Sequence, residues 1–179
     1  MNPSFTEILL DELLPPFPED SDMRAFALLD AARDDRIYAA VLRADCEWCC
    51  LYRGDAATTM AEVAPYLVEL HRESRFTAWL IEEGWGHAWG IFINAPLTLE
   101  ILRGHLRRFI YARLPDGRTV YFRFYDPRVL RVYLPTCNAE EVNTLFGPVE
   151  RFVMESEERD ALSFSRVGLS LAEVRNACS

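Results

Sequence analysis

Residues 110–130 read IYARLPDGRTVYFRFYDPRVL, and this stretch decides the fold class. Pro115-Asp116-Gly117-Arg118 is turn chemistry between two runs rich in aromatic and β-branched residues, so a β-hairpin is predicted, with strands over 110–114 and 119–125. On the second strand Val120, Phe122 and Phe124 face one way, while Tyr121, Arg123 and Tyr125 face the other. Asp126-Pro127 then pairs a helix cap with proline at the first helical position. Leu130, Tyr133 and Leu134 form the apolar side of a short helix that Pro135 ends.

Upstream, Ser4 and Glu7 have capping-box spacing, and Phe5, Leu9 and Leu13 recur at i, i+4 and i+8. Pro15-Pro16 stops that helix, and residues 15–22 read as a linker, which makes the segment an arm on the main fold. Residues 25–29 are an unbroken apolar run ending in Asp30, suited to a buried strand. Asp34 or Asp35 caps a helix carrying Ile37, Tyr38, Val41 and Leu42. Residues 48–52 and 66–70 read as strands, the first closed by a Gly54-Asp55 turn. Ser74 caps a helix that Gly84 ends. Residues 87–93 form a strongly apolar strand, and Asn94-Ala95-Pro96 opens a helix with Leu99, Leu102, Leu106 and Phe109 on its buried face.

Downstream, Asn138 and Glu141 repeat the capping box ahead of Val142, Leu145 and Phe146, and Gly147-Pro148 ends that helix. Residues 149–154 and 162–167 read as closing strands around an acidic, exposed loop at 155–160. Residues 171–174 are predicted as a last helical turn or two. Strands and helices intermix throughout, so the expectation is an α/β single domain (α+β as the alternative description). It would hold a mixed β-sheet with a hairpin, flanked by helices. Its parts are an arm and linker over 1–20 and the α/β domain with a short tail over 21–179.

The chain has 179 residues, half of them hydrophobic, which is enough for one sizeable core. Nineteen basic residues against 28 acidic ones give a net charge of −9, which argues against nucleic-acid and anionic-membrane partners. No apolar run approaches the roughly 20 residues of a membrane-spanning helix. Glu7, Asp11 and Glu12 interrupt the N-terminal leucines, so no secretory signal is visible. The five cysteines are odd in number, and three crowd together at 46, 49 and 50, unlike an extracellular disulfide framework. A cytoplasmic location is the expectation.

The candidate chemistry is thin. Cys46-x-x-Cys49 has half a zinc spacing, but there is no second pair, and His71, His87 and His105 lie on separate elements. The thiols are read as packing, and neither a metal nor a cofactor is expected. Residues 84–90 contain a loose G-x-G that runs from helix to strand, the reverse of a phosphate-cradling loop. There the glycines allow a tight turn while Trp85 and Trp89 anchor it. Arg123, Tyr125, Asp126 and Arg128 put guanidiniums beside a carboxylate, but arginine cannot act as a general base and no second acid completes a pair. The structural reading is favoured: Asp126 caps a helix, and Arg123 needs an acidic partner, for which Asp30 is the candidate. Ser163, Ser165 and Cys137 have no nucleophile context around them. Arg103, Arg107, Arg108 and Arg113 form a basic face in an acidic protein. It is either a solvated helix face or a dock for an acidic partner.

The ordered series Gly84-Trp85-Gly86, Trp89-Gly90-Ile91-Phe92, residues 102–109, Arg113 through Arg118, residues 121–130, Leu134-Pro135-Thr136-Cys137 and Phe146-Gly147-Pro148 resembles a known family. It is the adaptor-chaperone domain of bacterial type VI secretion effectors, long catalogued as of unknown function. The likeness covers about residues 24–154. Two departures stand out: Ala31 follows Asp30 where the family usually has glycine, and the longer C-terminal lobe common among members is shortened. The resemblance implies a non-enzymatic chaperone that stays in the cytoplasm, binds a secreted effector and helps load it on the VgrG spike protein. The competing expectations are an immunity-like inhibitor of a toxin and, remotely, an enzyme using Arg123, Asp126 and Arg128.

Overall fold

A computed structural model of the chain describes residues 4–18, 21–114, 116–168 and 170–177. The first helix, α1 (Phe5–Leu13), starts at a complete capping box: the Ser4 hydroxyl accepts from the Glu7 amide, and the Glu7 carboxylate accepts from the Ser4 amide. Leu9 and Leu13 are buried, while Phe5 at the helix start stays exposed. The strands β1 (Arg24–Asp30), β3 (Pro65–Leu70) and β4 (Gly90–Ala95) are buried almost end to end. That is why their sequences read as continuous apolar runs without alternation: both sheet faces are covered. Gly90 is required where β4 meets β1, since a Cβ there would sit 2.2 Å from the Leu28 carbonyl oxygen.

Between these strands lie α2 (Asp35–Val41), β2 (Trp48–Cys50), a five-residue α3 (Asp55–Thr59) and α4 (Arg75–Gly84). After β4 come α5 (Leu99–Leu106), the hairpin β5 (Tyr111–Arg113) and β6 (Thr119–Tyr121), α6 (Pro127–Tyr133) and α7 (Ala139–Phe146). The chain then adds β7 (Arg151–Glu155), β8 (Ala161–Val167) and β9 (Ser170–Asn176). The main sheet has seven strands in the order β2-β3-β1-β4-β7-β8-β9, and the hairpin is a separate two-stranded sheet. The α/β class holds. Every pairing among the described residues is antiparallel, so within that class the α+β description fits the sheet more closely than a mixed one. Hydrophobic patterning says which residues are buried but carries no strand direction.

Three local expectations are corrected. Residues 171–174 are not helical; they belong to β9, which pairs with β8 from Val167 opposite Ser170 to Ala161 opposite Asn176. Four residues are too few to nucleate a stable helix, and the β8 backbone offers a full ladder instead. The second hairpin strand ends at Tyr121, and a turn closed by the Asp126 amide on the Arg123 carbonyl follows. Alternation therefore fails: Phe124 and Tyr125 are both buried although they are adjacent. Glu155 is not part of an exposed loop but the buried last residue of β7. Pro115 of the predicted turn lies outside the described residues.

Candidate functional site

Asp30 ends β1 with no solvent exposure and accepts from the Ala32 amide at 3.1 Å, capping a short 3-10 turn over Ala31–Arg33. Arg123, in the stretch after β6, brings Nη1 to 3.7 Å from Asp30 Oδ2. Burial pushes the Asp30 carboxyl above its ordinary range, and the Arg123 charge opposes that shift. Tyr125 is buried next to it; burial and then the Asp30 charge push its hydroxyl pKa up. Asp126 caps α6 by accepting from the Arg128 amide at 2.9 Å, and Arg128 grips the same carboxylate through Nε at 2.9 Å and Nη2 at 2.5 Å. Burial pushes Asp126 up, but the Arg128 bonds outweigh it and hold the carboxyl below its usual value. Asp30 and Asp126 thus each have their own arginine.

The turn between α4 and β4 is fixed from the opposite side. Glu155 accepts from the Gly86 amide at 2.6 Å and the Ala88 amide at 2.8 Å. Trp85 Nε1 donates to the Arg159 carbonyl at 2.7 Å. Trp89 is buried, its ring 5.2 Å from that of Trp79, with the Arg36 guanidinium 5.0 Å over its face. Ala88 and Arg159 both hold positive φ, at 54° and 70°, so the facing loops carry strain that these bonds restrain. Arg33, Arg128, Arg131 and Glu155 line an open cleft of about 440 Å³, and Arg123 is not part of its wall. Three of its four arginines are engaged: Arg33 donates to the Ala88 carbonyl, Arg128 holds Asp126, and Arg131 pairs with Glu157 at 3.2 Å, while Arg159 is the fourth. Chemically the arrangement fastens β1, the α4–β4 turn, α6 and β7 to one another. Glu155 escaped the sequence reading because an acid beside Glu157 and Glu158 looks like loop; the only available signal was its position at the end of an apolar strand.

The arginines read as a basic face take up different positions. Arg103 donates through Nε to the Cys50 carbonyl at 2.9 Å. Arg107 donates to the Leu51 carbonyl at 2.6 Å and the Tyr52 carbonyl at 2.8 Å. Arg103 thus covers the last carbonyl of β2, the first strand of the sheet, and Arg107 those of the two residues that follow it. Arg108 donates to the ring of His105, whose other ring nitrogen donates to the Leu145 carbonyl at 2.8 Å. Arg113 is exposed on β5. Cys46, Cys49, Cys50 and Cys137 are free and partly buried. Burial pushes the Cys49 thiol up to about 11, so it stays protonated and poorly nucleophilic at neutral pH. Among the described residues no group of three or more His, Cys, Asp or Glu is placed to hold a metal ion. No helix of the described residues is long and apolar enough to cross a membrane.

The family model described as "Domain of unknown function (DUF4123)" matches residues 25–144, from β1 into α7. The chain belongs to the DUF4123 family. This bears out the resemblance drawn from residues 24–154, with a matched segment that stops ten residues earlier. The Accessory protein VasW of Vibrio cholerae serotype O1 (strain ATCC 39315 / El Tor Inaba N16961) is 30% identical over 126 residues. That alignment covers 69% of this chain and 42% of VasW, so the chain spans less than half the length of this curated relative. No solved structure matches. Asp30, Trp85, Trp89, Arg123, Tyr125, Asp126 and Arg128 all lie inside the DUF4123 match, whereas Glu155 and Arg159, which brace the same corner, lie beyond it.

Proposed function

We propose that this DUF4123 chain is an adaptor chaperone of a type VI secretion system, which binds a secreted effector in the cytoplasm and helps load it on the VgrG spike protein. The observation that carries the reading is the family match from β1 to α7, joined by a relative named as an accessory protein. Those two support an accessory role in type VI secretion; effector and spike binding are the finer step proposed here. On this reading the chain grips another protein instead of transforming a substrate. The Asp30, Arg123, Tyr125, Asp126, Arg128 network with Trp85 and Trp89 supplies the rigid scaffold. The surface around Arg103, Arg107, Arg108 and Arg113 is where a partner docks.

The test is co-expression with the effector encoded beside it, followed by size exclusion and calorimetry. A stable complex is expected, together with loss of effector secretion, and no self-poisoning, when the gene is deleted. Two well-folded proteins that form no complex would overturn the adaptor reading. Self-intoxication on deletion would point to a toxin inhibitor.

A further inference from the structure

All 19 basic residues of this chain are arginine; it contains no lysine. Among the described residues ten of these arginines lie within 4 Å of a carboxylate, as Arg24 meets Glu69, Arg72 meets Asp11, Arg128 meets Asp126, and Arg151 meets Glu12. One pocket departs from this pattern. Between β2, α5 and the start of the β5–β6 hairpin lies a cavity of about 360 Å³ lined by Tyr52, Arg53, Gly104, Arg107, Arg108 and Tyr111, among others. Among the described residues none of its three arginines forms an ion pair. In a protein with nine more acidic than basic side chains, three guanidiniums without an acid in one pocket call for a reason.

The pocket is also built and open. Arg107 is held in place by the Leu51 and Tyr52 carbonyls, neutral acceptors that fix its direction and leave its charge uncancelled. Burial, followed by the charges of Arg103 and Arg53, pushes its pKa down. At the mouth, the half-exposed Tyr111 and Tyr121 rings lie 4.9 Å apart, tilted by 43°, and the Tyr52 ring lies 6.4 Å from that of Tyr121. Arginine and tyrosine are the residues most often found to dominate protein interfaces. Along the wall, a Cβ added at the exposed Gly104 would meet nothing within 4 Å, so α5 leaves open space there.

From this geometry we infer that the pocket formed by Arg53, Arg107 and Arg108 with the tyrosines at its mouth binds an acidic segment of a partner protein, through two or more carboxylates. Arginine's planar fork accepts carboxylates in paired hydrogen bonds, and the exposed tyrosine rings cover the backbone or apolar stem between them. The net charge of −9 repels a long polyanion such as a nucleic-acid strand along the surface outside the pocket, whereas a short acidic segment places its few carboxylates on the three guanidiniums. The inference rests on the reading of the chain as a partner-binding protein and supplies the chemistry of what it grips.

The probe is fluorescein-labelled hexaglutamate, followed by anisotropy at low and moderate salt, with hexalysine and an oligothymidylate as comparisons. The wild-type chain binds hexaglutamate, more weakly as salt rises, and binds it better than either comparison. Gly104→Leu places a side chain in the space along the wall and raises helix propensity, so it keeps or raises the melting temperature while weakening hexaglutamate binding by about tenfold or more. Arg53→Glu, on a different element, weakens it by a similar factor. Unchanged binding in both variants, no binding by the wild type, or tighter binding of the oligothymidylate each overturns the inference. If hexaglutamate fails while the effector still co-purifies, the pocket assignment falls and the adaptor reading stands.

Discussion

Arg123 and Asp30 form an ion pair of unequal exposure, half of the guanidinium in solvent and none of the carboxylate. The pair therefore matters more to the acid than to the base. Burial raises the Asp30 pKa in the folded chain above its ordinary value, so the folded state holds this proton more tightly than the unfolded one. A raised folded pKa means that stability is greatest at acid pH and declines as pH rises through the folded value. Arg123 limits that decline by favouring the ionised form. Arg123→Ala is expected to cost about 1–2 kcal/mol at pH 7, less than a fully buried pair because the arginine is half solvated. Near the acid end of the titration, where Asp30 is protonated in both proteins, the difference closes. Urea denaturation of both proteins at pH 7 and pH 3 checks this; a gap that does not change with pH would show that Arg123 acts through packing alone. The pair was legible from the sequence because a buried strand ending in an acid and an arginine among aromatics each demand a partner.

The helices were legible where their caps are local. Ser4 with Glu7, Asp126 with Pro127 and Asn138 with Glu141 all sit at the ends the sequence gives them, since each bond closes within three residues. Ser74 shows the same logic with a second layer. Its hydroxyl accepts from the Phe76 and Thr77 amides and donates to Asp45 at 2.7 Å, while Asp45 itself takes the Arg75 and Phe76 amides. Those three bonds hold Asp45 far below its ordinary pKa, although it lies 29 residues from Ser74 and no spacing rule connects the two. Ser74→Ala removes the cap and loosens Asp45, and is expected to lower stability by about 1–2 kcal/mol, read from the urea midpoint at constant slope. A loss no larger than that of an exposed serine substitution would show that Asp45 takes over the cap alone. What the sequence missed at this scale is long-range: α3 is too short for periodicity to mark, and β9 exists because β8 presents a backbone edge 161–167 to pair with. Glu155 was missed for the same reason, as its partners are amides nearly 70 residues away.

Across the whole molecule, the N-terminal helix and the two edges of the sheet decide how the fold is closed. Arg103 and Arg107 fasten the end of β2 and the two residues after it, whereas β9 at the other end is paired on one side only among the described residues and is largely exposed. The arm expected from the sequence is more tightly joined than a linker of prolines suggests. Leu9 and Leu13 are fully buried, Asn94 donates from inside β4 to the Leu13 carbonyl at 3.0 Å, Arg72 donates to the Leu14 carbonyl at 2.6 Å, and Arg151 of β7 meets the Glu12 carboxylate. Patterning revealed the amphipathic helix but not its seat, because the seat is assembled from β4, β7 and the segment after β3, far apart in the chain. A helix tied at both backbone and side-chain level to two central strands shares their cooperative unit. Leu13→Ala is therefore expected to cost about 2–5 kcal/mol and to lower the midpoint of the main thermal transition, leaving a single transition. If α1 instead detaches by itself, the variant will keep the parent's main transition and gain early protease cleavage in the linker after Leu14. The first outcome makes the arm part of the scaffold that presents the arginine pocket; the second makes it a separate flap, and calorimetry with limited proteolysis on the same sample separates them.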